Sequence, residues 1–257
     1  MTDGLVSVVM PSYNTARYIA DSIRSVLLQS YESWELLIVD DGSEDDTAEI
    51  VGSFADPRIR FIQMEHGGAA LARNRALREA RGEWIAFLDS DDLWHPDKLR
   101  RQLDFMRSGG LVFSYHAYER IDEDGEPLHV LVSGPPVVTR RGMYRYDYPG
   151  CLTFMYSAKA LGLIQIRDIP KNNDYALLLK LCKKADCYLL DDNLAQYRVR
   201  KQSISHDRLL LKIKSHYDLF RVCEGRSAPA ALWYAGRNMF FGVCKKLRYE
   251  KKMSYGT

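Results

Sequence analysis

The chain has few cysteines and no long apolar run. It carries five cysteines in 257 residues, with neither the spacing of a zinc site nor the density of a disulfide framework. Nowhere does an uninterrupted apolar stretch approach the roughly 18 residues that a bilayer-spanning helix needs. The N-terminus also lacks the basic region and cleavage site of a signal peptide. We therefore expect a cytoplasmic protein with reduced, non-catalytic thiols, neither secreted nor integral to a membrane.

The net charge of the chain is also small. The formal net charge of +2 is too small to suggest a nucleic-acid partner, although lysine and arginine crowd residues 245–252. A hydrophobic content of 46% is ample for a core and makes disorder across most of the chain unlikely on composition. These values fit one large α/β domain, with or without a helical tail.

Apolar β-rich runs alternate with helical patterns through the first hundred residues. Strands are predicted over residues 5–10, 34–39, 58–63 and 84–88, and helices over 19–29, 47–54, 69–80 and 98–107. This alternation predicts βαβ units and a parallel sheet. Beyond a strand over 111–115, residues 125–149 are typical of hairpins and loops. A helix over 175–183, a strand over 187–190 and two basic helices from about residue 209 complete the prediction.

The most informative segment is Phe-Leu-Asp-Ser-Asp-Asp at residues 87–92, which places carboxylates directly after a predicted buried strand. Ligands bind at strand ends in open α/β sheets, and carboxylates there suit Mg²⁺ or Mn²⁺ holding a diphosphate. We expect an extended segment with Asp89 and Asp91 on one side, one carboxylate available for ribose or sugar hydroxyls and the other for the metal. The simpler alternative is an acidic turn that caps the helix beginning near Pro96.

Three other segments follow strands and would face the same cleft. Pro11 ends the first strand, and Tyr13 offers a flat face on which a base can stack. Asp41 can accept an N–H group from a base edge. Arg73, in the helix after the glycine pair of residues 67–68, can bind a base carbonyl or a phosphate. Taken singly, these segments could be an ordinary turn, a helix cap by Ser43 or Asp45, and a glycine loop.

In their order these motifs resemble the inverting nucleotide-sugar glycosyltransferases of family 2, which have the GT-A fold. The similarity covers nearly the whole chain to about residue 206. Its motifs are Pro-Ser-Tyr-Asn at 11–14, Asp-Asp-Gly-Ser at 40–43, Ala-Arg-Asn at 72–74 and Asp-x-Asp at 89–91. The resemblance implies that Tyr13 stacks on uracil, Asp41 reads its imino group, Arg73 contacts base or phosphate, and Asp91 is the principal metal ligand.

By the same resemblance, a late acidic pair supplies the catalytic base. The matching segment begins Asn172-Asn173-Asp174, so Asp174 takes the base position, while Asn173 replaces the more usual glutamate and leaves the acceptor contacts open. The chemistry requires such a carboxylate, since an acceptor hydroxyl must lose its proton as it attacks the anomeric carbon. Without the resemblance, the preferred interpretation of Asp174 is an N-cap or first-turn acid favoured by the helix dipole; with it, we favour the base.

Residues 197–206 resemble the family's flexible closing segment, which often supplies a histidine or basic group to the metal and diphosphate. His206 is the candidate, although a solitary histidine is more often a surface residue. Arg198 and Arg200 alternate along the chain, so a strand would aim both to one side, at phosphate or at solvent.

The C-terminal region mixes aromatic and aliphatic residues with lysine and arginine over 228–252. That mixture suits peripheral contact with the inner face of the plasma membrane. The alternative is a helix that packs on the catalytic domain and has a solvated basic end. We expect a GT-A domain over residues 1–206, with a nucleotide-binding half at 1–115 and an acceptor-binding half at 116–206, followed by a helical extension over 207–257.

The function expected from these features is metal-dependent, inverting transfer of a sugar from a UDP-linked donor. The acceptor would be a glycan or lipid-linked hydroxyl in bacterial surface polysaccharide synthesis. Two alternatives stay open: a non-catalytic nucleotide- or glycan-binding module, and a sugar nucleotidyltransferase. The second usually has a glycine-rich basic loop after its first strand, and residues 11–14 do not form one.

Overall fold

The computed structural model describes residues 1–200 and 209–253. Its first half is a parallel four-stranded unit in the spatial order β3-β2-β1-β4. The strands are β1 (Thr2–Ser12), β2 (Trp34–Asp40), β3 (Ile59–Gln63) and β4 (Gly82–Phe87). The helices between them are α1 (Ile19–Leu27), α2 (Thr47–Gly52) and α3 (Ala69–Glu79). The βαβ alternation predicted from the sequence is confirmed.

The second half extends the same sheet with mostly antiparallel pairs. Its strands are β5 (Leu93–Trp94), β6 (Phe113–Ile121), β7 (Pro127–Val132), β8 (Val137–Val138), β9 (Met155–Ser157), β10 (Cys187–Arg198) and β11 (Glu250–Lys252). Its helices are α4 (Lys98–Ser108), α5 (Arg140–Met143), α6 (Ala158–Leu161), α7 (Asn173–Leu181), α8 (Leu209–Asp218) and α9 (Ala228–Tyr249). The order across the sheet is β11-β7-β6-β9-β4-β1-β2-β3, and β10 lies parallel to β6.

Alternate residues of the central strands enter two separate hydrophobic cores. In β1, Val8 and Met10 pack on one face with α1 and α4, whereas Val9 packs on the other face with α3 and α7. Because side chains alternate across a strand, a strand with apolar residues at every position must be covered on both faces. This confirms the expected α/β fold, a GT-A-type sheet with helices on both sides.

The C-terminal residues pack against the sheet on one of these faces. Phe220 and Ala231 lie in the core that contains α3 and α7, and β11 pairs with β7 at the sheet edge. Arg120 donates to both carboxylate oxygens of Glu250, at 2.7 and 3.1 Å, which fastens β11 further. The helical extension is confirmed, whereas the division of the chain at residue 206 stays a prediction. Across the described ranges, no helix is both long and apolar enough to traverse a bilayer.

Lys98, in the first turn of α4, is fully buried beneath the sheet. Its ammonium nitrogen lies 3.8 Å from the centre of the Trp94 ring and has no hydrogen-bond partner among the described residues. Burial lowers the pKa of Lys98 well below its ordinary value of 10.5. Since the unfolded chain binds this proton more tightly than the folded one, Lys98 makes stability rise with pH until its penalty vanishes near pH 10.5.

We expect Lys98→Met to stabilise the protein, because methionine fills a similar volume without a charge to desolvate. The expected gain at pH 7 is about 1–3 kcal/mol in the free energy of unfolding, and it should shrink as the pH approaches 10. Urea unfolding at the two pH values measures this difference. As a control, Lys252→Met, at an exposed position, should change stability by no more than about 0.5 kcal/mol. A loss of stability in Lys98→Met would contradict the prediction and show that the buried amine makes a favourable interaction.

Candidate functional site

The turn after β1 and the turn after β2 are bound to each other. Asn14, which adopts a left-handed conformation (φ 50°), donates its backbone N–H to Ser43 Oγ at 2.8 Å. Its side-chain oxygen accepts from the Glu44 N–H at 2.9 Å, and Asp45 accepts from the Ala16 N–H at 2.9 Å. These bonds hold the adjoining Tyr13, whose side chain is 44% exposed, at the rim of the sheet.

Pro11 lies within β1, which continues to Ser12 rather than ending at the proline. Pairing of β1 with β4 stops at Val9, whereas pairing with β2 continues to Ser12. A proline is accommodated beyond the last β4 pair because it has no N–H to donate. The prediction that Pro11 ends the strand is therefore wrong for one edge of β1 and right for the other.

Asp41 organises the glycine loop before α3. Its two carboxylate oxygens accept from the backbone N–H groups of Gly67 and Gly68, each at 2.8 Å, and it is almost completely buried. His66, on the same loop, lies 3.0 Å from Asp41 Oδ2 and stacks on Tyr13 with ring centres 4.4 Å apart. A carboxylate oxygen can accept a further bond, so a base stacked at this rim would find an acceptor beside it.

Arg73 joins two parts of the site that are distant in sequence. Its side chain is 8% exposed and donates to Asp89 Oδ1 at 2.5 Å and to Asn173 Oδ1 at 2.6 Å. Burial alone would lower the pKa of Arg73, but the Asp89 carboxylate raises it well above its ordinary value. The guanidinium thus stays charged and ties the end of β4 to the start of α7.

The acidic segment after β4 is a turn. The backbone N–H of Asp92 donates to the Asp89 carbonyl at 3.1 Å, so the prediction that Asp89 and Asp91 lie on an extended segment is wrong. Asp91 Oδ2 is 2.8 Å from Arg200 Nε, and the Asp91 carbonyl accepts from Arg198 Nε at 2.9 Å. Arg198, the last residue of β10, and Arg200, just beyond the strand, therefore both contact Asp91 in the acidic turn.

Burial and mutual repulsion disfavour the charged forms of two carboxyl groups in this turn. Burial raises the pKa of Asp91 although Arg200 opposes the effect, and burial with the neighbouring Asp91 and Asp89 carboxylates raises the pKa of Asp92 well above its ordinary value. A divalent cation would relieve both effects. Mg²⁺ is commonly held by one or two carboxylates with substrate phosphates supplying other ligands, and Asp91 with Asp89 fits that pattern.

The described residues contain no group of three or more His, Cys, Asp or Glu side chains that could hold a metal ion. His206, the predicted third contact, lies outside the described residues, as does the rest of residues 201–208. Its role stays a prediction.

Asp174 lies in the first turn of α7, where the Tyr175 backbone N–H donates to its Oδ1 at 2.8 Å. That contact also suits the alternative of a first-turn acid. Asp174 nevertheless lies close enough to Arg73 to raise the pKa of that guanidinium. The Tyr175 hydroxyl is 2.6 Å from the Met143 carbonyl oxygen and 2.9 Å from Asn238 Oδ1, which fixes the start of α7 against α5 and α9.

Sequence reasoning missed two groups beside Asp174. Cys151 is buried. Its burial, together with the nearby Asp89 carboxylate, raises the pKa of the thiol well above its ordinary value, which favours the protonated, non-nucleophilic form. Asp147 lies in the loop after α5, and burial followed by Asp174 raises the pKa of its carboxyl well above the ordinary value. Asp147 Oδ1 has no hydrogen-bond partner within the described part of the chain. No motif marks either residue: Asp147 lies in an irregular loop, and Cys151 begins a one-turn 3-10 helix.

The chain is similar to known proteins in sequence and in fold. Residues 7–160 match the sequence model of the family described as Glycosyl transferase family 2. The chain is 40% identical over 233 residues to the putative teichuronic acid biosynthesis glycosyltransferase TuaG of Bacillus subtilis (strain 168), covering 89% of this chain and 92% of that protein. It is 36% identical over 222 residues to the UDP-Glc:alpha-D-GlcNAc-diphosphoundecaprenol beta-1,3-glucosyltransferase WfgD of Escherichia coli, covering 85% and 86% of the two chains.

Two solved structures have the same fold. Residues 1–349 of S. aureus TarS, in complex with UDP-GlcNAc, superpose with a TM-score of 0.73 at 21% identity, covering 94% of this chain and 74% of that one. The mannosyltransferase PcManGT of Pyrobaculum calidifontis, in complex with GDP-Man and Mn2+, gives a TM-score of 0.60 at 18% identity, covering 93% and 75%.

Proposed function

Because this chain belongs to glycosyl transferase family 2, we propose that it is a metal-dependent, inverting hexosyltransferase with a UDP-sugar as donor. The proposed acceptor is a hydroxyl of a lipid-linked glycan, and the proposed process is the synthesis of bacterial surface polysaccharide. The observation that carries the proposal is the double contact of Arg73, which places the donor-side carboxylate Asp89 beside the helix turn of Asp174. One side chain thus aligns the two halves of a transfer site.

The donor half consists of the strand-end residues Pro11, Tyr13, Asp41, Asp89 and Asp91. Tyr13 provides an exposed ring for uracil. His66 stacks on that ring and also contacts Asp41, so the Asp41 carboxylate lies close to the ring. A uracil would take the place of the His66 ring on Tyr13 or stack on its opposite face. The relatives support a UDP donor, since WfgD is named for UDP-glucose and TarS is solved with UDP-GlcNAc.

The reaction requires one general base and stabilisation of the diphosphate leaving group. In the proposed mechanism Asp174 takes the proton from the acceptor hydroxyl as its oxygen attacks the anomeric carbon and the bond to UDP breaks. When bound at Asp91, the metal supplies positive charge to the departing diphosphate. Attack from the face opposite the leaving group inverts the anomeric centre, so a single carboxylate suffices, in contrast to the pair that glycosidases use.

The acceptor proposal includes peripheral contact with the membrane through α9. Leu232, Trp233, Phe240, Val243 and Leu247 are 59–83% exposed, and successive spacings of one, seven, three and four residues put them on one face of the helix. We call this face the α9 stripe. The opposite face of α9 packs on the protein through Ala231, Ala235 and Asn238. One side of α9 therefore packs on the domain, and the proposal is that the apolar strip on the other side contacts a lipid surface.

A direct test supplies UDP-glucose, UDP-galactose and UDP-GlcNAc in turn, with Mn²⁺ and a lipid-linked N-acetylhexosamine acceptor. The expected result is release of UDP with one of these donors, and a product whose new linkage has the β configuration by NMR when the donor is α-linked. A retained α configuration would refute inversion. Nucleotide binding without UDP release from any of the donors would favour the non-catalytic binding module.

A further inference from the structure

A cavity of about 400 Å³ lies between α5 and α9, and its lining includes no donor-site residue. Its lining is unusual in charge, with four arginines and two tyrosines: Arg140, Arg141, Tyr144, Arg226, Tyr234 and Arg237. We call it the arginine pocket. None of these residues belongs to the donor site or to the first turn of α7, so the transfer mechanism leaves the pocket without a role.

The aromatic rings hold the guanidinium groups in place. The Arg226 guanidinium carbon lies 5.5 Å from the centres of both the Tyr144 and Tyr234 rings. Arg237 lies 4.8 Å from the Tyr234 ring and donates to the Tyr144 carbonyl at 2.7 Å. Arginines stacked on rings in this way lose less conformational freedom when they bind an anion.

The pocket is short of negative charge. Its nearby carboxylate, Glu224, already accepts from the Tyr144 hydroxyl and pairs with Lys183 at 2.7 Å. The Nε atoms of Arg226 and Arg237 are buried without a hydrogen-bond partner in the described ranges. Burial lowers the pKa of Arg237; Tyr234 and Tyr175 oppose the shift, and repulsion by Arg145 and Arg141 adds to it. An anion that accepts several hydrogen bonds would relieve this crowding.

The pocket opens beside the α9 stripe. Trp233 belongs to the stripe, and its ring centre lies 4.5 Å from the Arg237 guanidinium carbon at the pocket. A ligand that spans both features has an anionic head and an apolar chain. Planar guanidinium groups suit phosphate oxygens.

We propose that the arginine pocket binds the terminal phosphate group of a membrane lipid whose chain lies along the α9 stripe. This inference rests on the membrane contact proposed above and adds to it a specific headgroup. The pocket would hold the enzyme on the membrane in one orientation. Because Tyr175 binds both Met143 of α5 and Asn238 of α9, the same elements would carry that orientation to the helix of Asp174.

The test is co-sedimentation of the full chain with two kinds of phosphatidylcholine vesicle at matched surface charge. One contains phosphatidic acid, which has a terminal phosphate, and the other contains phosphatidylglycerol, which has none. We expect about tenfold tighter binding to phosphatidic acid. Arg140→Gln with Arg141→Gln should abolish that preference, and both positions are exposed, so folding should be kept. Arg226→Gln provides a second, independent variant.

The matched control is Lys246→Gln with Lys251→Gln, which removes two exposed charges outside the pocket. It should weaken binding to both vesicles by the same factor. An equal loss on both vesicles in the pocket variants, or no preference in the wild type, would show that the arginines act only as surface charge. Calorimetry with inorganic phosphate distinguishes a soluble phosphate ligand from a lipid headgroup. Binding of phosphate without binding to either kind of vesicle would refute the proposal that the ligand is a lipid. UDP release measured on the same proteins reports separately on the proposed transferase activity.

Discussion

Asp174→Asn is expected to lower the turnover rate about 10³-fold while leaving UDP affinity unchanged. The size follows from the usual contribution of a positioned general base, 10²- to 10⁴-fold. Asparagine can still accept the Tyr175 N–H that Asp174 now accepts, so the start of α7 should keep its structure. Loss of the charge near the helix N-terminus costs about 0.5 kcal/mol. UDP release and UDP calorimetry on the same preparation measure the two quantities.

The control for this substitution is Asp168→Asn, an exposed carboxylate a few residues before α7. It should leave both turnover and affinity unchanged. If Asp174→Asn keeps more than about a third of the wild-type rate, Asp174 is a first-turn acid and not the base. Asp147, buried beside it, would then be the next carboxylate to replace.

Arg73→Gln is expected to cost about 2–4 kcal/mol in unfolding free energy and at least 10²-fold in kcat/KM. Removing one partner of a largely buried ion pair leaves the other charge uncompensated, and here Asp89 loses its partner while Asn173 loses its donor. The kinetic loss follows because the two halves of the site are no longer aligned, and small displacements of reacting groups are costly.

Two further variants separate charge from geometry at this position. Arg73→Lys keeps the charge but lacks the planar fork that reaches Asp89 and Asn173 together, so it should regain part of the stability and little of the activity. Arg75→Gln, on the same helix, breaks only an exposed pair with Glu79 and should cost no more than about 0.5 kcal/mol. Wild-type stability in Arg73→Gln, measured by urea unfolding, would contradict the bridging role.

The first half of the fold could be predicted from the sequence because each element has an unbroken pattern. Central strands such as β2 are apolar at nearly every position, and their helices have regular apolar spacing. The end of β10 could not be predicted in this way. Its pairing with β6 shifts register after Leu190 and again after Asn193, so the alternation of side chains is interrupted there. The charged edge strand β11 depends on a partner more than a hundred residues away.

The donor residues were identifiable for a related reason. Tyr13, Asp41, Arg73 and Asp89 all follow parallel strands, and such positions meet at one edge of the sheet. The alternation of side chains along the strand also predicted that Arg198 and Arg200 lie on the same side. It did not decide whether that side faces phosphate or solvent. Only the pairing of β10 beside β6 shows that both meet the acidic turn at Asp91. Asp147 belongs to a loop without a motif, so its approach to Asp174 depends on tertiary packing alone.

The most direct test of the central claim is a calorimetric titration of UDP, with and without Mn²⁺, on the wild type and on Asp91→Asn. The account predicts that Mn²⁺ strengthens UDP binding to the wild type and that the substitution removes this dependence, because Asp91 supplies the protein ligand to the metal. Equal UDP affinity with and without Mn²⁺ in the wild type, or the same metal dependence in Asp91→Asn, would contradict the account.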